Sequence, residues 1–313
     1  MRRAREERGA AFVFVVVFLA LLLAMCAFVV DVGSWFTAQR KLQNAADAAT
    51  LAGAQELPDT TAATTSATGF ADANVSGLNA WTPSFPDTNT IDITLSKSVP
   101  GIFAQVMDVD SVTVHAHARA RAGAPGRAQY VAPVAIKSTA ACSATTPSCF
   151  GTSKDLSFDE SNLSSSTFGL VSLACAGSTA TSCSSGGTGS SDLVNWIGNG
   201  YSGLLDVNKW YAAVTGEKIG PVRDALNSAY SAGKVLLFPV YDTSDSSALS
   251  FHVIGWAAFV LNQAITNSDW KNDAPSCRPC KVVHGHFTKY IAHGVDIDPT
   301  VTNFGVRVVV LAQ

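Results

Sequence analysis

The chain has 313 residues, with 21 Lys and Arg against 24 Asp and Glu, a formal net charge of -3 at pH 7 and a charged fraction of only 14%. A length of this order holds one large or two modest domains, and the slightly acidic balance argues against a nucleic-acid partner, which would require a basic surface. So few charges in a chain that is 47% hydrophobic point to a concentrated apolar element.

That element is Gly9–Val30, GAAFVFVVVFLALLLAMCAFVV, 22 residues without a charge. As a helix it reaches about 33 Å at 1.5 Å per residue, enough to cross the hydrocarbon of a bilayer. Arg2, Arg3, Arg5 and Arg8 precede it, and positive charge beside a first span stays on the cytoplasmic side, so the remainder is read as exported. Asp31 marks the outer edge of the hydrocarbon, and Trp35 and Phe36 come next, where amphipathic rings favour the headgroup layer. The expected boundaries are a cytoplasmic basic tail over 1–8 and a transmembrane helix over 9–31, with Ala10, Phe14, Phe18, Leu22 and Val30 in the membrane anchor. The run is longer than the apolar core of a cleaved signal and lacks a small-x-small cleavage site. LAMC at Leu23–Cys26 approaches a bacterial lipobox, but Met25 is not small, so Cys26 reads as an ordinary apolar residue of the span.

The next stretch, AQRKLQNAADAATLAGAQEL, carries a stripe of small residues. Leu42, Ala45, Ala46, Ala49, Ala52 and Gly53 fall at i, i+3, i+4, i+7, i+10 and i+11, one face of a helix. Nothing breaks the helix before Leu57-Pro58, so a juxtamembrane alanine-rich helix is expected over 32–57, continuous with the span. Small side chains bury little apolar area but let two backbones approach closely. The stripe therefore suits helix packing, either against the chain's own globular part or against another subunit.

Residues 58–126 read as a small α+β region. Weak helical character over Ala62–Asn74 gives way to TIDITLS, alternating Ile91, Ile93 and Leu95, then to a helical turn in VPGIFAQVM. SVTVHAHARARAG alternates Val112, Val114, Ala116, Ala118 and Ala120, and GAPG at 123–126 reads as a linker. Residues 127–313 read as a β-rich antiparallel extracytoplasmic domain. YVAPVAIK, KVLLFPVY, SFHVIGWAAFVLNQAI, KVVHGHFTKYIA and FGVRVVVL are rich in β-branched and aromatic residues, with helical pieces at Asp192–Trp196 and Pro221–Ser231. The Ser/Thr/Gly-rich stretch from Cys142 to Gly189 is expected to be loop. Six of the seven cysteines lie after residue 140, and an even number outside the cytoplasm reads as disulfides. Six cysteines allow 15 pairings; proximity favours Cys142 with Cys149, Cys175 with Cys183 and Cys277 with Cys280.

Residues 8–57, with arginine-glycine before the span, DVG at its outer end, an aromatic residue and then LQNAADAATLAGA, resemble the N-terminal region of TadE/TadG-like proteins of the Flp (tight adherence) pilus-assembly system. The strand, PGIFAQVM and the strand ending ARARA over 90–122 resemble the next segment of many such proteins, and LLFPVYD and FHVIGWAAFVL are similar to parts of TadG-like C-terminal regions. The resemblance implies a membrane-anchored, pilin-like or accessory subunit that supports assembly of a secreted fibre or surface attachment. Processed pilin-like subunits carry a glutamate five residues after the cleaved glycine. Phe14 holds that position here, so an uncleaved anchor is expected.

Three motifs bear on chemistry. DTSDS, Asp242–Ser246, matches the D-x-S-x-S pattern of an adhesion site for Mg²⁺, but only 67 residues come after it and the bland reading is a polar hairpin turn. CRPCKVVHGH places Cys277, Cys280, His284 and His286 within ten residues, a spacing that suits zinc, yet an exported C-x-x-C pair is expected to be oxidised. His115 and His117 share a strand face with Arg119 and Arg121, which disfavours a cation and reads as a solvated polar face. There is no G-x-S-x-G elbow, Walker loop or dinucleotide fingerprint.

The expectation is an α+β, single-pass, non-enzymatic protein of the bacterial cytoplasmic membrane, with no cofactor. Its expected partners are the lipid bilayer, other pilus-assembly or membrane subunits and an extracellular ligand. The alternatives are a Mg-dependent cell-surface adhesin using DTSDS and an exported metal-dependent hydrolase using the strand around His284.

Overall fold

The computed structural model describes residues 3–158, 166–183, 188–214, 219–270 and 280–312. The chain is α+β and divides into two units, Met1–Ala122 with Val309–Gln313, and Gly123–Val308.

The first unit begins with α1 (Arg3–Glu56), one helix of 54 residues that ends just before Leu57-Pro58, as the proline requires. Asp59 starts α2 (Thr60–Asn74): its carboxylate accepts the N–H groups of Thr61 and Ala62, satisfying two donors that have no partner within the helix. Ala63, Ala67 and Ala71, each one turn apart, form the buried face of α2. They pack in one core with the small-residue stripe of α1. Next in the chain come three successive strands that pair antiparallel in the order β1 (Ser84–Asp87), β2 (Thr90–Pro100) and β3 (Ser111–Gly123). β2 and β3 pair without a slip from Thr90 opposite Arg121 to Pro100 opposite Ser111. The period-2 alternation turns Ile91, Ile93 and Leu95 of β2, and Val114, Ala116, Ala118 and Ala120 of β3, into the core shared with both helices.

The second unit contains β4 (Arg127–Ala128), β5 (Val134–Lys137), β6 (Ser153–Phe158), β7 (Phe168–Leu170), α3 (Ser190–Asn199), β8 (Leu205–Asp206) and β9 (Lys209–Ala212). After these come α4 (Ile219–Ser231), β10 (Val235–Asp245), β11 (Ser250–Leu261), α5 (Asn267–Trp270), β12 (Lys281–Thr288), β13 (Tyr290–Ile291) and β14 (Val306–Ala312). The last residues of β14 return to the first unit, where Val309 packs against its core. The main sheet has the order β6-β12-β11-β10-β5-β7, with β9 paired to β11. All these pairings are antiparallel except β5 with β10, where Ile136 lies beside Val240 in parallel. About a hundred residues separate those two strands, far more than the crossover a parallel pair needs.

Aromatic rings fill this unit's core. Phe259 meets Phe287 edge-on at 5.1 Å, and Tyr241 meets Phe251 at 4.6 Å. Gly285 of β12 makes room for one of those rings, since a Cβ there would lie 2.3 Å from Phe259 Cε1. Two strands arise between Cys142 and Gly189, where composition alone predicts loop. Leu156 and Phe158 of β6 and Phe168 and Leu170 of β7 are buried, and these alternating apolar pairs outweigh the Ser/Thr-rich composition around them.

Candidate membrane-anchoring site

α1 changes character along its length. From Ala11 to Val30 its side chains are exposed, Ala27 alone being half-buried; Phe14, Phe18, Leu22 and Val30 all stand outward, and Ala10 lies in the same helix. This stretch is long and apolar enough to cross a membrane. From Leu42 onward one face of the same helix is closed off.

Asp31 stands at the change. Its carboxylate is buried and accepts three backbone N–H groups from the β2–β3 connection, those of Ile102 and Phe103 at 2.9 Å each and of Ala104 at 2.6 Å. Ala104 opens a single 3-10 turn, Ala104–Met107, whose first N–H groups have no partner within it. One helical turn along α1, Trp35 lies against the same connection: a Cβ on Gly101 would stand 3.5 Å from the indole Cζ2. The sequence predicts Asp31 as the edge of the hydrocarbon and VPGIFAQVM as a turn, but not that the two join. The only signal for their union is a carboxylate placed where an unsatisfied charge would be costly.

Leu42, Ala45, Ala46, Ala49, Ala52 and Gly53 are all buried within the chain's own first unit. A Cβ on Gly53 would lie 2.6 Å from Ile91 Cδ1, 3.0 Å from the Ala63 carbonyl oxygen and 3.2 Å from Ala67 Cβ. The stripe thus forms an interface between α1, α2 and β2. Of the two packings open to it, the small side chains serve the chain's own fold, and none of the six is left exposed for a second subunit.

The remaining motifs resolve into local structure. Cys142 is bonded to Cys149 and Cys175 to Cys183, with Cα atoms 5.6 and 5.8 Å apart. Cys280 is disulfide-bonded, whereas Cys277 lies outside the described residues. Cys280 therefore has no thiolate to offer a metal. DTSDS ends the β10–β11 hairpin. Asp242 Oδ1 pairs with His252 Nδ1 at 2.8 Å, and the Asp245 carboxylate accepts the N–H groups of Ser247 and Ala248. The adhesion-site pattern needs a loop after a first strand with further loops converging on it; a hairpin tip whose carboxylates are already engaged is a different object.

His284 of β12 lies between Asp155 Oδ1 at 2.7 Å and Asp269 Oδ1 at 3.8 Å, and His286 Nδ1 meets Asn262 Oδ1 at 2.6 Å. The two histidines thus have separate partners. Burial raises the Asp269 carboxyl, but the hydroxyl and N–H of Thr266 and the neighbouring His284 outweigh it and hold Asp269 below its ordinary value. Asp92 of β2 accepts from His117 Nε2 of the neighbouring β3 at 2.7 Å and from Arg119 of β3 through Nε at 2.8 Å and Nη2 at 2.6 Å. Burial again raises the carboxyl, and these bonds with the charges behind them bring it below its ordinary value. Among the described residues, no three His, Cys, Asp or Glu side chains gather as a metal site.

Residues 9–56 match the family model described as "Putative Flp pilus-assembly TadE/G-like". The matched segment is α1 from the start of its apolar run to its last residue. No curated protein and no solved structure matches the chain.

Proposed function

We propose that the chain is a single-pass, membrane-anchored, non-enzymatic subunit of a Flp/Tad-type pilus-assembly or surface-attachment machinery, with its N-terminus cytoplasmic and both folded units on the far side of the cytoplasmic membrane. The observation that carries this reading is the coincidence of the family match over 9–56 with one helix that is exposed and apolar in its first half and packed in a folded unit in its second. Four arginines before the span and disulfide bonds beyond residue 140 support the orientation, because disulfides persist outside the reducing cytoplasm. The main sheet of the second unit, stapled by short loops, would serve as scaffold or contact surface for other subunits.

The test is fractionation and then phenotype. The chain should stay in the membrane pellet through an alkaline carbonate wash, and protease added to spheroplasts should digest residues beyond the span while sparing an N-terminal tag. Deleting the gene should abolish surface fibres or attachment, and the intact gene should restore them. A cytoplasmic head, or normal surface fibres and attachment in the deletion strain, would refute the proposal.

A further inference from the structure

The β2–β3 connection is tied to α1 at the level where the charge-free run ends. Asp31 receives the three N–H groups of Ile102, Phe103 and Ala104, and Trp35 packs beside Gly101. The loop is also closed on itself, with Gly101 N–H donating to the Asp110 carbonyl and Val109 N–H to the Ala104 carbonyl, both at 3.1 Å. A loop pinned this way has a fixed height on the helix.

Three of its apolar side chains nevertheless point outward. Ile102 is 63% exposed, Phe103 45% and Val109 40%, whereas Ile91, Ile93 and Leu95 of the adjoining strand are fully enclosed. Val32 and Phe36 of α1, on either side of the same level, are exposed as well. Large apolar side chains grouped in the open mark a contact surface. This group is continuous with the exposed apolar wall of α1 below it, and that continuity identifies what covers it.

We infer that the loop over 101–109 is a second membrane contact: Ile102, Phe103 and Val109 enter the interfacial layer of the bilayer that α1 crosses, so the first unit is held at two points. The inference rests on α1 being a membrane anchor. Asp31 then has a double task, because its carboxylate reaches the hydrocarbon edge already solvated by backbone N–H groups while it sets the depth of the loop. The segment GIFAQVMDVD contains no Lys or Arg and two aspartates, so the contact is apolar insertion and not recognition of anionic headgroups. Two attachment points also stop α1 from rotating freely about its axis.

The test uses the full chain in phosphatidylcholine vesicles. Cys26, the free cysteine among the described residues, is replaced by alanine. Single cysteines are then introduced as Ile102→Cys, Phe103→Cys, Thr113→Cys or Phe18→Cys and labelled with an environment-sensitive fluorophore. Labels at 102 and 103 should be blue-shifted, quenched by lipids brominated near the top of the acyl chain, and several-fold less accessible to iodide than the label at 113. Adding anionic lipid should leave these values unchanged. Asp31→Asn should raise iodide access at 102 several-fold while the label at 18 stays in lipid. Circular dichroism melting checks that each variant is folded, and the two loop positions serve as independent reporters. If the label at 18 is lipid-quenched but those at 102 and 103 behave like 113, the loop does not touch the bilayer and the inference fails. Protection from iodide without lipid quenching would mean a second copy covers the loop, which also overturns it. Loss of lipid quenching at 18 would refute the anchor itself.

Discussion

Gly53 of α1 faces Ile91 of β2 so closely that a Cβ on the glycine would stand 2.6 Å from the isoleucine Cδ1. The small-residue face of α1 is a condition for folding the first unit, because the helix can lie against α2 and the sheet only where side chains are missing.

Gly53→Leu is therefore expected to lower the stability of the first unit by at least the roughly 1–3 kcal/mol typical of over-packing, since the new atoms also meet the Ala63 carbonyl oxygen, a backbone atom that cannot swing aside. Ala49→Leu, at a fully buried position of the same core, should act in the same direction. Urea unfolding of the full chain in detergent, monitored through first-unit amide exchange, measures both. Midpoints equal to wild type would mean the helix does not pack as described. A double variant at 49 and 53 that kept the unit intact but lost crosslinks to a partner subunit would return the stripe to the role of intermolecular interface.

Acid should expose the Asp92 cluster. A carboxylate whose folded value is depressed contributes stability that is present above its unfolded value of about 3.9 and is lost as the pH falls through the lower folded value. His117 and Arg119 are both substantially exposed, so solvent screening keeps the contribution small. Asp92→Asn should lower the urea midpoint at pH 6, and the gap from wild type should close as the pH drops below the folded value of Asp92. A gap that is constant or widens on acidification would contradict the pairing.

Much of the first unit is legible in the sequence because its signals are local and periodic. Twenty-two apolar residues, an alanine stripe ended by Leu57-Pro58, and strict alternation in TIDITLS and SVTVHAHARARAG correspond to α1, β2 and β3. The Asp31 contact is not legible, since it joins residues 71 to 73 positions apart and depends on where a connection happens to close. In the second unit the long hairpin of β10 and β11 can be read from its β-branched and aromatic runs. The parallel pairing of β5 with β10 cannot, because strand direction is set by the path of the intervening chain and leaves no mark on Val134–Lys137. β6 and β7 are hidden for a different reason: each offers only two inward apolar residues amid serine and threonine.

The hairpin tip yields a check on the metal reading. Asp242 forms a partly exposed pair with His252, so Asp242→Ala is expected to cost about 0–1 kcal/mol. Thermal unfolding should be indifferent to Mg²⁺ and to chelator, in wild type and variant alike. A melting temperature raised by Mg²⁺ in the wild type and insensitive to it in Asp242→Ala would restore a cation site at this tip, since binding to the folded state alone must stabilise it.

Reduction should divide the molecule. The Cys142–Cys149 and Cys175–Cys183 bonds span only 7 and 8 positions, and the chain-entropy account gives roughly 2.5 kcal/mol for loops this short. Both bonds lie in the second unit, as does the bonded Cys280, whereas the first unit's described cysteine, Cys26, is free. Dithiothreitol should therefore lower the second unit's unfolding midpoint and leave the first unit's unchanged. Cys175→Ser with Cys183→Ser should reproduce part of that shift without reductant, because its loop is closed independently of the other. The staples trim loops around a sheet whose aromatic core is already dense, so the reduced unit is expected to remain folded at room temperature. Its collapse on reduction would show that the core of Phe238, Phe251, Phe259 and Phe287 cannot hold the sheet without covalent help.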